Sequence, residues 1–125
     1  MPVPREIYLF KNYFLKFYQE QPQDVRMKIK WVLNLIRDVD LISEKYLKHM
    51  RDGVYEIRVG LGKNIFRIFC CFDEGNIIVL FHGFQKKTAQ TPSREIEKAL
   101  RIHKEYREAK AKGEIADFLG STPGE

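Results

Sequence analysis

Cysteine is nearly absent from this 125-residue chain, and the only two, Cys70 and Cys71, are adjacent. Neighbouring residues on a strand point to opposite faces, so these two are poorly placed to bond to each other. That argues against a small disulfide-stapled domain, which needs an even set of spaced cysteines. Histidine is as sparse, with single residues at 49, 82 and 103. None stands at ligand spacing with a cysteine, so neither a metal nor another cofactor is expected. No apolar run approaches the roughly 18 residues that a bilayer span requires. The first six residues, MPVPRE, hold no apolar stretch with a small-residue cleavage site, so a secretory signal is not expected and the chain reads as cytoplasmic. Nucleotide-binding loops are missing too: Gly60-x-Gly62 is too short for a dinucleotide fingerprint and lies between strands. No serine or cysteine nucleophile motif occurs.

What is present is an ordinary folding composition, 44% apolar, on a length that suits one domain. The net charge of +5 is unevenly spread. Residues 1–53 carry +3, residues 54–83 are neutral, residues 84–112 carry +5 and residues 113–125 carry −3. The basic excess thus begins at Phe84-Gln85-Lys86-Lys87. It suits a polyanion such as nucleic acid, and equally a solvated Lys/Glu helix.

Residues 6–10 are short and rich in β-formers, and read as an edge strand. Tyr13, Phe14, Phe17 and Tyr18 fall at helical spacing, and Gln21-Pro22 ends that helix. Val25, Ile29, Val32, Leu33 and Ile36 then mark one face of a helix from about Pro22 to Val39. Trp31 reads as part of the packing of this helical hairpin rather than as a binding aromatic. Residues 40–53 read as a connection, with an exposed His49 and turn signals at Ser43-Glu44-Lys45 and Asp52-Gly53. Three strands follow as an antiparallel meander: Val54–Val59, Ile65–Phe72 and Ile77–Phe84. Their links are the loop 60–64 and the tight turn 73–76. A last helix spans 91–112, with Thr91 as its N-cap, Pro92 in its first turn, and Ile96, Ala99, Leu100, His103 and Tyr106 inward. The acidic tail, 113–125, contains a short apolar patch at 115–119 and is expected to be mobile or loosely docked. The order β-α-α-β-β-β-α makes an α+β domain over 1–112: a helical hairpin on a small twisted antiparallel sheet, with the C-terminal helix at its edge.

Three strand charges stand out. Glu56 and Arg58 share one strand face, and Arg67 interrupts a run of Ile, Phe and Cys, where an unpaired charge is costly. If the hairpin brings Arg67 onto the face of Glu56 and Arg58, the three form a polar floor that Lys86 and Lys87 can roof. An ordinary cross-strand salt bridge is the other reading of the same residues.

Val54-Tyr55-Glu56-Ile57-Arg58-Val59, Asn64-Ile65-Phe66-Arg67-Ile68-Phe69 and the stretch 77–88 ending Gly83-Phe84-Gln85-Lys86-Lys87-Thr88, followed by Thr91-Pro92 and 95–99, resemble the HigB-like branch of the RelE/ParE toxin superfamily. The resemblance covers about residues 5–110. It implies the RelE-like fold and the toxin of a phage-derived type II toxin–antitoxin system. It also implies a metal-independent mRNA endoribonuclease that works in the ribosomal A site and inhibits translation by 2′-hydroxyl attack on the phosphodiester. By the same resemblance Arg67, Arg58, Lys87, Lys86 and Glu56 are the catalytic candidates. Arg67 matches the strand arginine that RelE-like toxins use on the scissile phosphate; Glu56 stands where RelE has a lysine, and is expected to serve as a base or to orient the arginines. Lys63, His82, Arg94, Lys98 and Arg101 are the expected RNA contacts. The base-stacking tyrosine of RelE has no counterpart, since 88–93 contains no aromatic. The implied partners are the ribosome, mRNA and a helix-turn-helix antitoxin. Two alternatives share the fold: a ParE-like gyrase inhibitor, and an RNA-binding module without catalysis.

Overall fold

In the computed structural model, residues 4–114 and 119–121 are described. A six-stranded mixed sheet carries helices on both faces. Along the chain the elements are β1 (Glu6–Phe10), α1 (Tyr13–Gln19), α2 (Gln23–Asp38), β2 (Leu47–Arg51), β3 (Val54–Leu61), β4 (Asn64–Asp73), β5 (Ile77–Lys86), α3 (Ser93–Ala111) and β6 (Leu119–Ser121). Across the sheet the order is β2-β3-β4-β5-β1-β6. Strands β2 to β5 form an antiparallel meander, whereas β1 runs parallel to β5. The α+β class therefore holds, with a mixed rather than a purely antiparallel sheet. No helix among the described residues is long and apolar enough to cross a membrane.

Alternation along the strands builds two cores. Ile57, Val59, Phe66, Ile68, Cys70, Ile78 and Leu80 face α1 and α2, whose buried stripe is Phe14, Phe17, Val25, Ile29, Val32, Leu33 and Ile36. Val54, Phe69, Cys71, Val79 and Phe81 face the other way, against Ala99, Ile102, Tyr106 and Ala109 of α3. The central strands are apolar on both sides, so each face needs a cover. This moves α3 from the expected sheet edge to the opposite face. Full burial of each large side chain, such as Phe69 and Phe81, contributes about 1.5–3 kcal/mol. Cys70 and Cys71 are buried free thiols on opposite faces. Burial pushes both thiols up, Cys71 to about 12, so neither is a reactive thiolate at neutral pH.

Three local expectations change. The connection before Val54 contains β2, and His49 lies exposed in it with its ring against Tyr55 at 5.0 Å. Asp52 (φ 52) and Gly53 (φ 81) make the two-residue left-handed turn between β2 and β3. The expected loop 60–64 shrinks to Gly62-Lys63, because Leu61 pairs with Asn64. Strand β1 is not an edge: β6, from the tail, pairs antiparallel with it through Tyr8–Ser121, Leu9–Gly120 and Phe10–Leu119. Leu119–Ser121 is thus docked on the sheet, while 115–118, most of the apolar patch, lie outside the described residues.

Strand β5 holds one further device. Between the pairs Ile68–Gly83 and Cys70–Leu80 it carries an extra residue, a β-bulge at Phe81-His82. Before the bulge Val79 and Phe81 face α3. After it, the even-numbered residues do, since His82 and Phe84 both stack on Phe69.

Candidate functional site

The β3–β4 pairing sets Arg58 directly opposite Arg67. Two like charges at a cross-strand position repel unless a counter-charge lies between them. Glu56, two residues back on β3, supplies it. Its Oε1 lies 3.1 Å from Nε of Arg67 and 3.4 Å from Nε of Arg58. Its Oε2 accepts a hydrogen bond from the Thr91 hydroxyl at 2.6 Å. Glu56 is 1% exposed and Arg67 7%. One carboxylate oxygen thus serves both guanidiniums, as two close ion pairs. Arg67 also donates from Nη1 to the Phe66 carbonyl at 3.1 Å, and Arg58 from Nη1 to the Glu44 carbonyl at 3.3 Å. Burial, opposed by Glu56 and reinforced by Arg58, lowers the Arg67 pKa from its ordinary value. A guanidinium remains charged after such a shift.

Cations surround this group. Lys48 on β2 pairs with Glu56. Lys86 pairs with Ile65 near the end of β5 and is half-buried; burial first, then Arg67, Arg58 and Lys48, lower its pKa, against the pull of Glu56. Lys87 is exposed just past the strand, and Lys63 is exposed at the β3–β4 turn. A cavity of about 460 Å³ opens beside the arginines and is lined by both of them together with Lys28, Lys45 and Tyr46.

The cap expected of Thr91 is absent: Pro92 occupies the N-cap and no side chain caps the helix. The Thr91 hydroxyl is spent on Glu56, which ties the start of α3 to the floor of the site. Sequence reasoning missed this contact, and it missed Lys48, because β2 was not recognised. The Asp52-Gly53 dipeptide, a strong hairpin signal, held the clue.

His82 lies deeper than an RNA contact requires. Its ring is 4% exposed, stacks on Phe69 at 5.1 Å, and makes a 3.0 Å hydrogen bond between Nε2 and Oε1 of Glu95. Burial chiefly, with help from Lys98 and Arg101 and against Glu95, pushes its pKa down to about 4. The ring is then neutral, Nε2–H donates to the carboxylate, and Nδ1 is buried without a partner. Arg94, Lys98 and Arg101 are exposed at i, i+4 and i+7 on α3, forming one basic face. Among the described residues, no three His, Cys, Asp or Glu gather as a metal-binding group.

The floor of buried Glu56 between two arginines can hold an anion, orient it and neutralise charge that grows on it. No curated protein matches the chain. Residues 16–104, which contain the floor and its flanking cations, match the phage-derived protein Gp49-like family (DUF891), and the chain belongs to that family, within the RelE/HigB-like toxin superfamily.

Proposed function

We propose that this protein is the toxin of a type II toxin–antitoxin pair and cuts mRNA on the ribosome, as HigB-like toxins do. The observation that carries the reading is the pair of facing guanidiniums, Arg58 and Arg67. Both line an open cavity, and both are held from behind by the buried Glu56 carboxylate. Two guanidinium forks side by side can take phosphate oxygens on the N–H groups that Glu56 does not engage.

In the reaction, the ribose 2′-oxygen bonds to phosphorus as the bond to the 5′-oxygen breaks. The 2′-proton leaves to solvent water, and the departing 5′-oxygen takes up a proton from Lys86. Products are a 2′,3′-cyclic phosphate and a 5′-hydroxyl. Negative charge rises on the phosphoryl oxygens, where Arg67 and Arg58 are already fixed and need no reorganisation. Glu56 has both oxygens engaged and almost no exposed surface, so its role is to hold the arginines rather than to take the 2′-proton. Lys86, with its lowered pKa, is the proton donor for the leaving oxygen. Lys87, Lys63, Arg94, Lys98 and Arg101 bind RNA backbone, and His82 supports the site from beneath. The cognate antitoxin, a helix-turn-helix protein, covers this face.

Arg67→Ala is the test. The variant is expected to fold, to bind antitoxin and to lose growth arrest, with codon-register cuts disappearing from primer extension of induced cells. Unchanged toxicity in the folded variant overturns the nuclease reading. Intact mRNA with broken DNA instead identifies gyrase poisoning.

A further inference from the structure

Trp31 is the chain's single tryptophan and stands half-exposed on the outer side of α2, one turn from the exposed Met27. It does not pack into the core, contrary to the expectation for the hairpin. Its ring meets Tyr46 at 5.9 Å and 63°, and the Lys28 ammonium lies 4.4 Å over it. The Lys45 ammonium in turn lies 5.5 Å from the Tyr46 ring centre. Lys28, Lys45 and Tyr46 line the same cavity as Arg58 and Arg67, and no carboxylate is among its lining residues. The Tyr46 backbone is joined to the arginine floor, because its carbonyl accepts the Arg58 N–H at 2.8 Å. Gly60 leaves the wall open: a Cβ added there meets nothing within 4 Å.

We propose that Trp31 and Tyr46, flanked by Lys28 and Lys45, form a base-stacking subsite that carries single-stranded RNA from the arginine floor around the sheet end onto α2. The proposal rests on the nuclease reading of that floor. Aromatic faces interleaved with cations match a strand whose bases and phosphates alternate, and stacking requires bases that are not already paired. An incoming base takes the Trp31 face that the Lys28 ammonium holds, and that ammonium, on its flexible stem, moves to the adjoining phosphate.

The tryptophan is its own reporter. A 2′-O-methyl RNA hexamer, which lacks the attacking hydroxyl, is titrated into the full chain while Trp emission and the anisotropy of the labelled strand are followed. Quenching that saturates with binding is expected, and much less from an abasic strand of the same length. Trp31→Ala should weaken hexamer binding about tenfold and leave the abasic strand unaffected, while Trp31→Phe retains most of the affinity. Lys28→Ala should lower the salt slope of log Kd by about one. Equal hexamer affinity in Trp31→Ala and the parent overturns the subsite, as does binding without quenching. So does quenching by the antitoxin with none by the hexamer, which makes the patch a protein-docking surface. Arg67→Ala judges the nuclease reading separately. Ribosome-dependent cuts that persist with an unaltered hexamer Kd in Trp31→Ala reject the subsite alone. Quenching by the hexamer without any ribosome-dependent cut rejects the nuclease and keeps the subsite.

Discussion

Glu56 sits where its removal costs twice. It is buried, and it separates two arginines that face each other across β3 and β4. Glu56→Gln keeps the shape and can still accept from Thr91, yet leaves Arg58 and Arg67 repelling one another. A broken buried ion pair costs about 3–5 kcal/mol, and the partial exposure of Arg58 reduces that to about 2–3 kcal/mol here. A urea titration should show the lower midpoint with an unchanged slope, and cleavage should fall together with stability. A stable Glu56→Gln protein that has lost only the acid limb of its pH–rate profile would make Glu56 the general base instead. His82 gives a second residue-scale expectation. Its folded pKa of about 4 lies below its ordinary 6.5, so between these values the unfolded chain binds more protons. Stability is therefore full above about pH 6.5 and falls as pH drops toward 4, by up to about 3 kcal/mol. His103, also pushed down by burial, adds to the same fall. His82→Gln should flatten part of this window in urea midpoints taken from pH 7 to 4. An equally steep fall in the variant would assign it all to other groups. The charged residues were legible as candidates because charge in an apolar strand needs a partner. Which partner it finds was not, since register decides that.

At the scale of the element, β5 does the most to shape the site. Its bulge lets Phe81 and His82 both address the α3 side and brings Phe84 onto the face of Arg67. Gly83, just after it, lets α1 come close: a Cβ there would lie 2.5–2.8 Å from the Phe17 ring. Gly83→Ala should therefore push α1 off the sheet and cost about 1–3 kcal/mol. The thermal midpoint should fall accordingly, whereas Gly60→Ala, which meets nothing, should leave it nearly unchanged. The helices and the β3–β5 meander were legible because their apolar periods are long and regular. The bulge was not, because a single extra residue leaves the alternation of Ile77–Phe84 unaltered as written. Strand β2 was hidden for a related reason: Leu47–Arg51 is half-exposed and polar, and only its pairing with β3 makes it a strand. The position of α3 is written in β4 itself: Ile65–Phe72 is apolar on both faces apart from Arg67, so both faces require a helix.

Across the whole molecule, charge and sheet edge meet in the C-terminal tail. The +5 net charge combines a basic body with a tail of three acids and no base. The tail's strand β6 caps β1, which would otherwise expose an unpaired edge of apolar, β-prone residues. Among the described residues, the last core member is Ala109, so a chain ending at Lys112 should still fold, with a single cooperative melt. Its charge rises to +8, since only acids are lost. Two consequences pull in different directions. Added positive charge should speed association with RNA and steepen its loss with salt. The bare β1 edge should promote self-association through strand pairing, most strongly at high salt, where repulsion is screened. Sedimentation velocity of the truncated and full chains at low and high salt separates these effects. The expected outcome is monomer at low salt and larger species at high salt for the truncated chain only. A truncated chain that stays monomeric throughout would show that β6 is not needed to guard β1. One that fails to melt cooperatively would place the end of the folding unit beyond Lys112.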